Sequence, residues 1–175
     1  MIRSLGLSLC LLVCAPLASL SCGGESKPAA TNAGALDPFF LKSAPEGAVP
    51  LLALRKSARN GDEVVAMGRV KDFVGGLAAF TMIDSSLRAC SDEGDPMEDS
   101  CKTPWDYCCI PSEEVTAASA TVESRDGDAL LKEELQGFRG LDHLDTVVVR
   151  GTIERDTVGN LTIVAKNFAF TPNAK

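Results

Sequence analysis

Five short segments rich in apolar and β-branched residues, separated by glycine-containing turns, constrain the fold of this chain more than any other feature. They span residues 63–71, 78–84, 118–125, 145–153 and 161–170. Segments of this length and composition, bounded by turn residues, predict β-strands. Gly68 interrupts the first of them. An isolated glycine inside a strand predicts a bulge or a tight bend, as at the corner of a barrel.

Two further segments carry helical spacing. Residues 49–59 place apolar side chains near a 3.6-residue period and are followed by a glycine, which predicts a short helix before the first strand. Leu131, Leu135 and Phe138 form one apolar stripe, and Asp128 stands where it can cap a helix. The predicted order is therefore strand, strand, strand, helix, strand, strand, preceded by a short helix.

That order, with a glycine in the first strand, resembles an OB-fold, and the phrases that carry the likeness are residues 61–70, 80–84 and 147–153. The chain is also similar to exported bacterial OB-fold proteins, in which a short helix precedes the first strand. The resemblance implies a mainly β protein, a small five-stranded barrel with a helix between strands three and four. It also implies that ligands contact the face of strands two and three and the neighbouring loops. An open β-sandwich is the alternative fold.

The first twenty-one residues read as a secretory leader. Arg3 is followed by an apolar run over residues 5–18 and then by small residues up to Cys22. Such a run is too short for a stable membrane anchor and is typical of a signal peptide. The sequence Ser-Leu-Ser-Cys resembles the lipobox of bacterial lipoproteins, which implies cleavage before Cys22 and acylation of its thiol. Cleavage of an ordinary small-x-small site and simple secretion is the alternative.

The lipoprotein resemblance also predicts where the protein resides. No aspartate follows Cys22, and in Gram-negative lipoproteins that absence favours the outer membrane, so we expect a lipid-anchored protein at its periplasmic face. Residues 22–45 are rich in glycine, alanine, serine and proline and predict a flexible tether, with Phe39, Phe40 and Leu41 docking on the folded part. The predicted barrel domain spans residues 46–172 and contains an insertion at 85–114.

The insertion between strands two and three carries the most specific signal. Of seven cysteines in the chain, two fall in the leader, Cys22 takes lipid, and four lie together: Cys90, Cys101, Cys108 and Cys109. An even number in an exported chain predicts two disulfides that staple the loop. A bond between the adjacent Cys108 and Cys109 would strain its small ring, so each is predicted to pair with Cys90 or Cys101.

Two other uses of the four cysteines stay open, a thiolate metal site and redox-active thiols. Both usually employ a Cys-x-x-Cys pattern, which this chain lacks, and we therefore predict neither a metal nor a cofactor. An acidic stretch follows Cys90 and comprises Asp92, Glu93, Asp95, Glu98 and Asp99. It lacks the Asp-x-Asp-x-Asp-Gly order of a calcium loop, and we interpret it as a solvated loop.

Trp105 and Tyr107 are the only tryptophan and the only tyrosine in the chain, and both lie in the insertion. Aromatic side chains on a stapled loop offer a large contact area at a small entropic cost, so both are candidate binding residues. The alternative is that Trp105 packs over the disulfides as the insertion's own small core.

The sequence argues against catalysis. The only histidine, His143, stands in a predicted turn, and no nucleophile elbow, phosphate-binding Gly-Lys loop or dinucleotide fingerprint occurs. A net charge of −7 makes nucleic acid an improbable partner. We predict a membrane-anchored, non-catalytic binding module for an envelope protein, a glycan or a small ligand. An envelope redox or metal-binding factor using the four cysteines is the alternative, and a nucleic-acid-binding protein is a distant third.

Overall fold

The five predicted strands form the framework of the computed structural model, which describes residues 33–92 and 101–173. Two shorter strands accompany them, so the strands are β1 (Val49–Pro50), β2 (Glu63–Phe73), β3 (Ala79–Ile83), β4 (Ser119–Asp126), β5 (Ala129–Leu130), β6 (Thr146–Arg155) and β7 (Leu161–Thr171). The helices are α1 (Ala33–Leu36), α2 (Leu51–Ser57) and α3 (Ser112–Ala117), and single 3-10 turns cover Asp37–Phe39 and Phe138–Gly140.

The long strands close into a ring in the order β2-β3-β4-β7-β6, with β6 returning to β2. Within this ring, neighbouring strands are antiparallel except for β4 and β7, which run parallel, and outside it the short β1 pairs in parallel with β2. This order, with its single parallel pair, confirms the predicted small mainly β, OB-fold-like barrel. Because β2 is bonded on one side to β3 and on the other to β6, the sheet is closed, which excludes the open sandwich.

The barrel interior is filled from every strand. Its fully buried large side chains include Val70, Phe80, Met82, Val122, Ile153, Leu161, Ile163 and Phe168. Phe80 and Phe168 meet edge to face with ring centroids 5.9 Å apart. Apolar residues from the flanking segments, Leu36, Phe40, Leu51, Leu54, Leu135 and Leu141, belong to the same cluster. A closed sheet of this size leaves just enough interior for side chains.

Gly68 marks a close approach of two strands, and the irregularity of β2 lies slightly later. The register with β3 shifts between Val70 and Asp72. A Cβ atom on Gly68 would stand 2.5 Å from the carbonyl oxygen of Ile83 and 2.8 Å from Cγ of Met82. The glycine therefore lets β3 cross β2 tightly where the barrel bends.

The prediction of a helix between the third and fourth predicted strands, which are β4 and β6, is wrong. Residues 129–130 form the short strand β5 against the end of β4, and the chain then runs irregularly to the 3-10 turn at Phe138–Gly140. Leu131 donates its N–H to Ser124 and accepts from the N–H of Ala78, which commits it to extended backbone. Leu135 is nevertheless buried, so the apolar stripe faces the core as predicted but from a non-helical segment.

The short helix predicted before the first strand is present as α2, with narrower bounds. It begins after Pro50 and ends where Ala58 turns to extended backbone. Its first turn is tied to the barrel because Asp84, a buried carboxylate at the end of β3, accepts the N–H of Leu52 at 2.7 Å and that of Ser86 at 3.0 Å. Burial raises the pKa of Asp84, but these hydrogen bonds outweigh it and hold the pKa below its ordinary value.

Phe40 docks on the barrel as the sequence predicts. It forms a parallel bridge with Phe168, and their ring centroids are 4.6 Å apart. Arg139 covers the Phe40 ring at 5.6 Å and bonds Asp37 at 2.7 Å. Leu36 is also buried. The packed part of the chain therefore reaches into the stretch predicted as tether.

Several predictions fall outside the described residues. These are the leader, Cys22, the tether up to residue 32, and the acidic stretch 93–100. Within the described part of the chain, every helix is too short to cross the hydrocarbon core of a bilayer.

The close contact at Gly151 generates a stability prediction. A Cβ there would overlap the carbonyl oxygen of Val164 and stand 2.7 Å from Cγ2 of Ile163 on the paired strand. We expect Gly151→Ala to lower the free energy of unfolding in urea by about 1–3 kcal/mol, because the strands must separate to admit the methyl group. Gly75→Ala is the control, since nothing lies within 4 Å of its added Cβ. Equal stability of the two variants would contradict the packing described here.

Candidate functional site

The insertion between β3 and β4 is fastened to the outside of the barrel by a second hydrophobic cluster, here called the outer core. Its buried members are Ile83, Ala89, Tyr107, Ala118 and Leu144, and Leu52, Leu87, Ile110 and Val115 pack against them. Tyr107 is only 2% exposed. Ile83 ends β3 and Leu144 precedes β6, so the insertion packs directly on the barrel wall through its side chains.

A partly buried ion pair fixes the first arm of the insertion to β2. The guanidinium of Arg69 donates to both carboxylate oxygens of Asp92, at 2.8 and 2.9 Å. Asp92 also accepts the N–H of Ala89 at 2.7 Å. Burial raises the pKa of Asp92, but the hydrogen bonds from Arg69 and Ala89 outweigh this and lower it. A paired, bidentate contact of this kind sets the orientation of the turn it closes.

The two arms of the insertion are also bonded to each other. The N–H of Cys90 donates to the carbonyl of Asp106 at 2.9 Å, and that of Ser91 donates to Pro104 at 2.8 Å. The carboxylate of Asp106 lies 3.6 Å from the ammonium of Lys71 on β2. Residues 90–91 and 104–106 therefore hold a defined position over β2, and Cys90 is one of them.

Three of the four cysteine sulfurs lie in one cluster, and the fourth, that of Cys101, lies beside Cys108. The Sγ atoms of Cys90 and Cys108 are 3.1 Å apart, and those of Cys101 and Cys108 are 3.9 Å apart. The sulfurs of Cys90, Cys108 and Cys109 all lie within 4.8 Å of one another. A disulfide requires about 2.05 Å, so the predicted pairing stays a prediction. Cys90 is buried, whereas Cys108 and Cys109 are exposed.

The thiols differ in acidity. Burial, together with the neighbouring thiols, raises the pKa of Cys90 to about 11. At Cys101 hydrogen bonding with the backbone of Thr103 outweighs desolvation and lowers the pKa of the thiol. The thiolate is the form that attacks disulfides and binds metals, so Cys101 is the more readily activated of these two.

Trp105 belongs to an exposed aromatic patch, defined here as Phe73, Trp105 and His143. Trp105 is 36% exposed and lies over the His143 ring at 5.1 Å between centroids, with the planes 30° apart. His143 in turn meets Phe73 edge to face at 5.2 Å. Nδ1 of His143 is 3.2 Å from the carboxylate of Asp142. The indole thus rests on a histidine held from two sides, so its position is set before any ligand arrives.

A cleft of about 540 Å³ adjoins the patch. It is lined by Phe73, Gly75, Glu134, Gln136, Gly137, Gly140, Leu141 and Asp142. Phe73 and Leu141 supply its apolar surface, while two carboxylates and one amide supply hydrogen-bonding groups. Because Glu134 also accepts the N–H of Gly76 at 2.8 Å, the turn between β2 and β3 is fixed against the far wall.

A second concavity of about 420 Å³ lies on the outer face of β3 and β4, where the OB-fold resemblance places ligands. Threonines 81, 121 and 162 line its floor. Val115 and Thr116 of α3, the helix that leads from the insertion into β4, form one wall. Lys71 lines the same groove, and its ion pair with Asp106 links the groove to the segment that carries Trp105.

The structure separates the two predicted aromatic binding residues. Tyr107 is buried in the outer core and cannot offer contact area, whereas Trp105 is exposed and stacks on His143. The sequence analysis missed Phe73 and His143 as partners of Trp105, because they come from a strand end and a turn far apart in the chain. Of the predicted acidic stretch, Asp92 is paired with Arg69, and the other members lie outside the described residues.

Comparison of the chain with protein-family profiles and with curated proteins finds no match, so the site is interpreted from its own geometry.

The burial of Tyr107 generates the prediction for this site. We expect Tyr107→Ala to lower the free energy of unfolding by about 3–5 kcal/mol, because a large aromatic ring is removed from the outer core. Tyr107→Phe is the matched control. Among the described residues the buried Tyr107 hydroxyl has no hydrogen-bond partner, so its loss is expected to leave stability unchanged or raised. Urea unfolding measures both, and a Phe variant as unstable as the Ala variant would contradict this packing.

Proposed function

We propose that the protein is a lipid-anchored, non-catalytic binding module of the bacterial cell envelope, and that Trp105 forms the centre of its contact surface. The lipobox resemblance at Cys22 supports the anchor. The observation that carries the binding role is the exposure of Trp105 on a segment clamped to the barrel. Exposed, preorganised tryptophan is enriched among the residues that dominate binding energy.

Preorganisation favours binding because fewer rotamers are lost when the ligand arrives. The arm that carries Trp105 is held by Tyr107 in the outer core and by the pair of backbone hydrogen bonds to residues 90–91. His143 supports the indole from below. A rigid aromatic side chain on a fixed loop gives large contact area at low entropic cost.

The chemistry of the adjoining cleft favours a glycan over the other partner classes. Glu134, Gln136 and Asp142 offer carboxylate and amide groups that accept hydrogen bonds from hydroxyls. The C–H face of a sugar ring packs on an indole. Two carboxylates and a net charge of −7 oppose phosphate-rich ligands such as nucleic acids.

The proposed lipid anchor is tested by substituting the attachment residue, Cys22. We expect the wild-type chain, expressed with its leader in a Gram-negative host, to fractionate with membranes and to incorporate labelled palmitate. Cys22→Ala is expected to lose the label and to appear in the soluble fraction, because the acyl chains supply the membrane affinity. Wild-type protein that is recovered from the cytosol with its leader intact would overturn the anchor.

The binding role is tested through the only tryptophan in the chain. We expect the fluorescence of Trp105 to shift saturably when soluble peptidoglycan fragments are added, because the sugar displaces water from the indole. A duplex DNA oligonucleotide is expected to cause no shift at physiological salt. Calorimetry with the same fragments is expected to show binding that is weakened about tenfold or more by Trp105→Ala and largely kept by Trp105→Phe.

Thr121→Arg is the matched control for location, because it alters the β3–β4 groove and leaves the aromatic patch intact. Loss of binding in Thr121→Arg with full binding in Trp105→Ala would move the contact surface to the groove. Trp105→Ala is also expected to keep most of its thermal stability, since the side chain is exposed. A large loss of stability with unchanged binding would assign Trp105 to packing and overturn its proposed role.

A further inference from the structure

The cysteine sulfurs lie in one cluster, although two independent disulfides would not need to lie near each other. Two disulfides need two bonded pairs, and the pairs can lie apart. Here the sulfurs of Cys90, Cys108 and Cys109 are mutually within 4.8 Å, and that of Cys101 is 3.9 Å from Cys108. The adjacent residues Cys108 and Cys109 both direct their sulfurs toward the buried Cys90.

Such an arrangement matches the dimensions of a thiolate metal site. A metal–sulfur bond of about 2.3 Å places the ligand sulfurs of a trigonal or tetrahedral shell roughly 4 Å apart. The sulfur–sulfur separations of 3.1 and 3.9 Å, and the upper limit of 4.8 Å within the group of three, bracket that value. The three sulfurs are therefore spaced as one shared ion would require.

We propose that Cys90, Cys108 and Cys109 bind one thiophilic d¹⁰ cation, Zn²⁺ or Cu⁺, with Cys101 placed to serve as a fourth ligand. Soft thiolates select these ions over hard cations such as Mg²⁺ and Ca²⁺. Three sulfurs satisfy a trigonal Cu⁺ shell, and the fourth completes the tetrahedron that Zn²⁺ prefers. The site is distinct from the Trp105 surface and does not depend on the binding role proposed for that surface.

Contacts around the sulfurs fix the position of the proposed ligands. Sγ of Cys90 lies 3.1 Å from Sγ of Cys108, and Sγ of Cys101 donates to the carbonyl oxygen of Thr103 at 3.3 Å. Contacts of this kind orient ligand side chains before the ion arrives. Metal binding displaces the thiol protons, so we expect the affinity of the site to rise with pH.

The supporting shell is rigid on one side and open on the other. Cys90 is held by its N–H bond to Asp106 and by the neighbouring Arg69–Asp92 pair, whereas Cys108 and Cys109 face solvent. A site held this way keeps its geometry while the ion enters from the exposed side. The sequence did not predict it because the ligands lack the Cys-x-x-Cys spacing.

The test uses the full chain, exported to the envelope of a Gram-negative host and purified in detergent without reductant. Elemental analysis is expected to find one zinc or one copper ion per chain. Cd²⁺ added to the reduced protein is expected to give a thiolate-to-metal charge-transfer absorption that saturates at one ion per chain. Cys108→Ser and Cys109→Ser are expected to weaken binding against a chelator beyond the roughly 10- to 100-fold that loss of an outer-shell partner costs.

Lys102→Ala, in the same segment, is the control and is expected to bind like the wild type. Cys101→Ser distinguishes the ions, since it spares a three-sulfur Cu⁺ site and weakens a four-sulfur Zn²⁺ site. Trp105 fluorescence and thermal unfolding report whether each serine variant is folded; Cys108 and Cys109 are exposed, and Cys101 is half-buried. Protein recovered from the envelope with two disulfides and no bound metal overturns the proposal, whatever the reduced chain binds afterwards. Cd²⁺ absorption that persists in Cys108→Ser and Cys109→Ser overturns it as well.

Discussion

The outer core is the contact on which the rest of the site depends. Ile83 at the end of β3 and Leu144 before β6 direct apolar side chains away from the barrel interior. Exposure of these side chains to water would be unfavourable. The cysteine-rich insertion covers them with Tyr107. Burial of that ring then determines where the rest of the insertion lies, because Trp105 and Cys108 are within two residues of it in the chain. The insertion is thus a second layer of the fold that carries both candidate sites.

The barrel was predictable because its information is local. Each strand shows β-branched residues and ends in a turn, and the order of the five strands resembles an OB-fold, which implies the closed ring. The same reasoning predicts the wrong structure, a helix, for the segment 129–138. Its stripe of leucines has helical spacing, yet Leu131 is committed to sheet hydrogen bonds with Ser124 and Ala78, which only the folded barrel brings near. Tertiary contacts override local periodicity in such a segment.

The candidate site was predictable in composition and not in arrangement. The four cysteines and Trp105 stand out because they are rare and clustered in one stretch of the sequence. Nothing in that stretch indicates that Tyr107 is buried while Trp105 is exposed, since alternation is undefined in an irregular loop. The support from Phe73 and His143 depends on contacts across 38 and 70 residues of chain. The spacing of residues within one segment does not predict contacts between residues so far apart in the chain.

The single parallel pair in the barrel governs how the chain can reach this structure. β7 is the last strand, and it completes both the pairing with β4 and the pairing with β6. Until it is in place, β4 and β6 each present an open edge, so the ring cannot form on an incomplete chain. Pairings between such distant segments carry a loop-closure cost that slows folding. The ring therefore closes only once β7 is present, and a chain cut before Leu161 would lack the partner that both β4 and β6 require.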